Sequence, residues 1–112
     1  MVTKCFVWDE EPTTSRQWLA RANGSLVVGD LKSAEEQYAR ALRIVGDDSW
    51  ARCRAHLFRA MLRIRQERRG EASQEVREAT AADATQVRQL LSNRCASALT
   101  EADVKFLLEA AQ

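Results

Sequence analysis

The chain has 112 residues, 46% of them hydrophobic and 29% charged, which suits one domain with a buried core and excludes a disordered chain. One proline and four glycines are too few for many turns and argue against an all-β fold, while the abundant alanine, leucine, arginine, glutamate and glutamine favour helices. A formal net charge of +1 points to neither nucleic acid nor a membrane surface.

The charge is unevenly spread. Residues 51–70 hold seven arginines (52, 54, 59, 63, 65, 68 and 69) against one acid, Glu67, so the rest of the chain is net acidic. Cys5, Cys53 and Cys95 are odd in number and form no CxxC, which implies free thiols in a reducing compartment rather than a disulfide framework. No apolar run approaches the length of a membrane span. The opening "MVTKCFVWDEE" turns acidic early and reads as neither a secretory signal nor a transit peptide, so a cytoplasmic (or nuclear) location is the default expectation.

In chain order, residues 1–15 form an irregular N-terminal extension in which Pro12 ends "CFVWDEE" and Ser15 or a nearby threonine can cap the first helix. That helix is expected from Arg16 to Val28, with Trp18, Ala22 and Ser25 on one face, closed by Gly29-Asp30. A second begins near Leu31 and reaches Val45, with Leu31, Ala34, Tyr38, Ala41 and Leu42 facing inward. After Gly46, Asp48 or Ser49 caps a third helix over 50–66. Its stripe is Leu57, Met61 and Ile64, with Arg52, Arg59 and Arg63 on the opposite face. The arginines read either as part of a binding surface or as a solvated face in which Glu71, Glu75 and Glu78 are nearby partners for Arg68 and Arg69. A fourth helix follows Gly70 with Ala72, Val76 and Ala79 inward. A fifth uses Val87, Leu90, Leu91, Cys95 and Ala98. Thr100 caps a sixth, in which Val104, Leu107, Leu108 and Ala111 share a face. The expected fold is all-α, an antiparallel helix-turn-helix array of about six helices over 16–112.

Trp18, Ala22, Gly29, Ala34, Tyr38 and Ala41 are spaced 4, 7, 5, 4 and 3. Ala22 and Ala34 let two helices cross closely, Trp18 and Tyr38 fill the ends of that contact, and Gly29 closes the first helix where a side chain is costly. This pattern resembles the tetratricopeptide repeat (TPR), a helix-turn-helix unit of about 34 residues. A second unit resembles the family through Ala60, Ala72, Val76 and Ala79, with Ala34 and Ala72 separated by 38 residues and Glu67 where the family has glycine. A third, over about 84–112, keeps only the helical period.

The resemblance implies a curved array whose first helices line a concave groove, and a non-enzymatic protein-interaction adaptor. "ANGSLVVGD" looks like the start of co-chaperone TPR domains, which grip the acidic C-terminal tail of heat-shock chaperones in a carboxylate clamp. Asn23 matches the first clamp asparagine and Arg88 the first basic residue of the third repeat. Leu19, Phe58 and Ser92 stand where other clamp residues belong, which counts against a two-carboxylate clamp. Arg54 and Arg65 are expected to approach the groove, and with Phe58 they favour an acidic peptide carrying an apolar anchor.

Other chemistry has little support. No phosphate loop, GxSxG or HExxH occurs, so no enzyme activity and no cofactor are expected. Cys53-x-x-His56 is half a zinc site without a second pair to complete it. The arginine-rich helix lacks the interleaved aromatics of an RNA-binding surface, which disfavours nucleic acid. The alternative to the adaptor is a structural subunit of a larger assembly or a homodimer. It would use Phe6-Val7-Trp8 and the apolar face of the last helix, left open by the lack of a seventh.

Overall fold

The computed structural model describes residues 12–92 and 100–112. Five helices make up the fold: α1 (Ser15–Val28), α2 (Leu31–Arg43), α3 (Ser49–Arg65), α4 (Arg69–Ser92) and α5 (Glu101–Ala110), with no strand among the described residues. Asp83 interrupts α4 with an extended backbone (φ −164°, ψ 88°), dividing it into segments 69–82 and 84–92. The fourth and fifth helices expected from the sequence therefore meet at a single non-helical residue. Asp83 starts the second segment as a cap, its Oδ1 accepting from the Gln86 N–H at 3.1 Å. Cys5, Phe6-Val7-Trp8, Cys95 and Ala98 lie outside the described residues.

Local chemistry sets the helix starts. Thr14 caps α1 in a capping box with Gln17, Asp30 caps α2, Asp48 caps α3 and Thr100 caps α5. Each supplies a side-chain oxygen to an amide that the first helical turn leaves unpaired.

The helix ends carry the clearest regularity. At the close of α1 the Asp30 N–H donates to Ser25 O (2.9 Å) and the Gly29 N–H to Leu26 O (3.1 Å). At the close of α3 the Arg68 N–H donates to Arg63 O (2.8 Å) and the Glu67 N–H to Ile64 O (3.0 Å). Both are Schellman turns, and the second lies 38 positions after the first. The next helices begin alike: the Ala34 N–H donates to Asp30 O, and the Ala72 N–H to Arg68 O, both at 3.0 Å. Hence α1–α2 and α3 with the first segment of α4 are two copies of one helix-turn-helix unit.

The core keeps the same register. Ala22 and Ala60, Ala34 and Ala72, and Ala41 and Ala79 are all buried, as are Leu19 and Leu57, and Tyr38 and Val76. Small side chains at the crossings let the helices approach, and the larger ones fill the space beside them. Where the first copy has Trp18, Ser25 and Gln37, the second has His56, Arg63 and Glu75. A 2.7 Å hydrogen bond between the Ser25 hydroxyl and the Gln37 amide in the first copy is thus matched by an ionic contact in the second. Among the helices, α3 packs most extensively on α4 and α1 on α2, and α5 closes the end against α4.

The last helix departs from expectation. Leu107 is fully buried, and Val104, Phe106 and Leu108 are half-buried rather than open. Phe106 is covered by the Arg69 guanidinium, 4.9 Å from its ring centre, and Arg69 is itself held by Asp103. The large apolar side chains most exposed among the described residues are instead Val27, Val28, Ile44 and Trp50.

The two Schellman turns test the role of backbone conformation. Gly29 has φ 87° and Glu67 has φ 61°, the left-handed region that costs an L-residue about 1–2 kcal/mol. A Cβ on Gly29 would meet nothing within 4 Å, so any penalty there is conformational rather than steric. Gly29→Ala is expected to destabilise by about 1 kcal/mol, and Glu67→Gly to stabilise by about 0.5–1 kcal/mol after the entropy of glycine is subtracted. Urea denaturation of both variants checks this, and a loss on Glu67→Gly would count against the left-handed turn.

Candidate functional site

The third helix has neighbours on several sides, and its charged residues divide between two of them. On the side toward α2 and the first segment of α4, Glu75 is buried at 7% exposure. A buried carboxylate must be paired or neutralised. His56 Nδ1 lies 2.8 Å from Glu75 Oε1, and Arg59 Nε lies 2.6 Å from Glu75 Oε2, off hydrogen-bond alignment. Arg63, also buried, contacts Glu35 at 3.1 Å, with Glu71 and Glu75 at 3.7 and 3.8 Å, distances of charge attraction rather than hydrogen bonding. Gln66 ties Glu35 in at 3.1 Å.

This arrangement corrects the expectation of a solvated face. Arg63 is buried and Arg59 half-buried, because carboxylates on α2 and α4 face them. The acids also sort differently. Glu71 pairs with Arg68 as expected, but Glu75 goes to His56 and Arg59, Glu78 accepts from Gln74, and Arg69 reaches Asp103.

On the side toward α1 and the second segment of α4, Trp50, Arg54, Phe58, Met61 and Arg65 succeed one another at helical spacing. Arg54 Nε donates to Gln86 Oε1 at 2.6 Å and Arg65 Nη1 to the Leu26 carbonyl at 2.6 Å, while Arg52, on the opposite face with Arg59 and Arg63, donates to the Gly46 carbonyl. These three arginines are half-buried and held by uncharged acceptors, and no described carboxylate pairs with them. Their geometry is fixed while their charge is uncompensated. Two guanidiniums lie over the Trp50 ring, Arg16 at 4.2 Å and Arg54 at 4.4 Å from its centre, within cation–π range. Its 38% exposure leaves part of the ring open. Arg16 is steadied by a two-pronged contact to Asp48 at 2.8 and 3.1 Å.

The expected site residues therefore have distinct surroundings. Arg54, Phe58 and Arg65 come together along one stripe. Arg88 is exposed on the segment that also supplies Gln86. Asn23 is half-buried, and its Oδ1 accepts a 2.5 Å hydrogen bond from the hydroxyl of Tyr38, which burial pushes well above the ordinary phenol range. Trp18, Ala22, Ala34, Tyr38 and Ala41 are core residues, and Gly29 is the turn residue already described. Leu19 is also buried. Trp50 and Arg16 carry little mark in the sequence. The one signal for them is that Trp50 precedes Arg54 by four residues and Arg16 precedes it by one repeat of 38.

Cys53 and His56 are committed to separate partners. The Cys53 thiol is buried and donates weakly to Asp83 O at 3.5 Å, and burial with the nearby Asp83 pushes it up to about 11. His56 is occupied by Glu75. Among the described residues no His/Cys/Asp/Glu group is arranged to hold a metal, and no helix is long and apolar enough to cross a membrane.

The Glu75 cluster predicts an acid limit to stability. Burial alone would raise this carboxyl, but the His56 contact and the Arg59 guanidinium outweigh it and hold it below the usual range. A depressed folded-state value gives stability that is present above the unfolded value and lost as pH falls through the folded one. Glu75→Ala is expected to cost about 3 kcal/mol at neutral pH, because it leaves buried cations unpaired. It should also flatten the loss of stability below about pH 4.5. Urea midpoints measured from neutral to acid pH for both proteins check this; parallel pH curves would mean that Glu75 is not the titrating group.

No protein-family model, curated protein or solved structure matches the chain.

Proposed function

We propose that this protein is a non-enzymatic interaction module of TPR-like architecture that binds an acidic peptide of a partner protein along the Trp50–Arg65 stripe of α3. The observation that carries this reading is the pair of half-buried arginines with uncharged partners, Arg54 and Arg65, beside Phe58 and the part-open Trp50. Guanidiniums oriented in advance lose little freedom on meeting a carboxylate and form charge-assisted hydrogen bonds. The repeated helix pairs and buried alanines support TPR-like architecture over an unrelated bundle.

A chaperone-type tail is one ligand in this class. Burial of Leu19 and the tie between Asn23 and Tyr38 weigh against a two-carboxylate clamp, so an internal acidic segment fits better than a free C-terminus. A structural role in a larger assembly or a homodimer is the second reading. The observation favouring it is the exposure of Val27 and Val28, 80% and 77%, at the end of α1.

Calorimetric titration with Met-Glu-Glu-Val-Asp and its C-terminal amide tests the first reading. The expected result is micromolar binding of both at low ionic strength that weakens with salt and is lost in Arg54→Gln. Binding abolished by the amide alone would mean a terminal clamp. No binding at all, together with a concentration-dependent sedimentation coefficient reduced by Val27→Ser/Val28→Ser, would favour assembly.

A further inference from the structure

We infer that the acidic ligand is an extended segment with two acidic residues five positions apart and one apolar residue between them, an inference that rests on the peptide-binding reading. Arg54 and Arg65 are separated by eleven residues of α3, or about 16 Å of helix axis. An extended chain covers that distance in about five residues, at roughly 3.1–3.4 Å each. The two guanidiniums lean toward different neighbouring helices, Arg54 toward Gln86 on the second segment of α4 and Arg65 toward Leu26 on α1. An extended strand turns alternate side chains to opposite sides. An odd separation of five therefore presents one carboxylate to each arginine. Phe58 lies between them on the same stripe, about 6 Å from Arg54 along the axis, and receives the apolar residue.

Adjacent carboxylates cannot reach both cations, which separates specific recognition from general attraction to a basic surface. The uncharged acceptors fit the same role. A carbonyl or an amide orients a guanidinium without neutralising it, whereas a carboxylate would compete with the ligand.

The test uses four capped octapeptides titrated calorimetrically into the full chain at low ionic strength. Two have separated acids, Ser-Glu-Ser-Leu-Ser-Ser-Glu-Ser and Ser-Glu-Ser-Ser-Leu-Ser-Glu-Ser, because the strand direction is open. Two have adjacent acids and the same composition, Ser-Ser-Ser-Leu-Ser-Glu-Glu-Ser and Ser-Glu-Glu-Ser-Leu-Ser-Ser-Ser. One separated peptide is expected to bind about tenfold tighter than either adjacent one. Arg54→Gln and Arg65→Gln should each remove that preference, Arg54→Lys should keep part of it, and Arg77→Gln on the exposed side of α4 should leave it intact. Circular dichroism confirms that each variant is folded. Equal affinity for separated and adjacent peptides would overturn the spacing and leave the acidic-peptide reading standing. Failure of all four to bind would overturn both.

Discussion

The arrangement of this protein depends on one buried carboxylate. Glu75 sits at 7% exposure between α3 and the first segment of α4, and an uncompensated charge there would be prohibitive. His56 and Arg59 meet it directly, and Arg63 adds a longer-range attraction while linking to Glu35 on α2. Three helices are thereby coupled through one cluster. The first repeat solves the same packing problem with the neutral Ser25–Gln37 pair. The second copy therefore has a charge requirement that the first lacks. Its ionic contacts fix which side of α3 faces inward more strictly than apolar contact would.

That choice determines what remains on the other side. With Arg59, Arg63, Arg68 and Arg69 bound to acids, the carboxylates of α2, α4 and α5 that lie nearby are engaged. Arg52, Arg54 and Arg65 settle on carbonyls and an amide. The strong local excess of arginine over 51–70 is thus split into a set compensated by acids and an uncompensated set, of which Arg54 and Arg65 lie along the stripe. Trp50 extends that stripe by one turn before Arg54, because α3 begins four residues earlier than its counterpart α1 once the 38-residue shift is applied, and Arg16 of α1 reaches its ring.

Much of the fold was legible because it rests on local chemistry. Gly29-Asp30, the alanines at 22, 34, 60, 72 and 79, and the capping threonines and aspartates act within a few residues of themselves, so helix limits and inward faces can be read directly. Glu67 shows the same logic in reverse. It occupies the position expected for glycine, and the backbone keeps the left-handed turn anyway, held by the Arg68–Arg63 and Glu67–Ile64 bonds. The split of the arginines was not legible. Periodicity places Arg59 and Arg63 opposite an apolar stripe, but it cannot tell that the opposite side is covered by another helix. The near-fusion of the fourth and fifth helices escaped for a related reason. Asp83 is a good cap, but nothing in its neighbourhood distinguishes a cap after a loop from one after a single extended residue.

The candidate site was legible in its residues and not in its geometry. Arg54, Phe58 and Arg65 can be picked out by spacing, yet which way each guanidinium leans depends on acceptors 32 and 39 residues away in sequence, Gln86 and Leu26. Those acceptors are a side-chain amide and a backbone carbonyl, which leave no charge pattern to read. The same feature makes the surface suited to binding. An arginine whose partner is another charge is marked in the sequence and already neutralised in the fold. An arginine held by a carbonyl is invisible in the sequence and keeps its charge for a ligand.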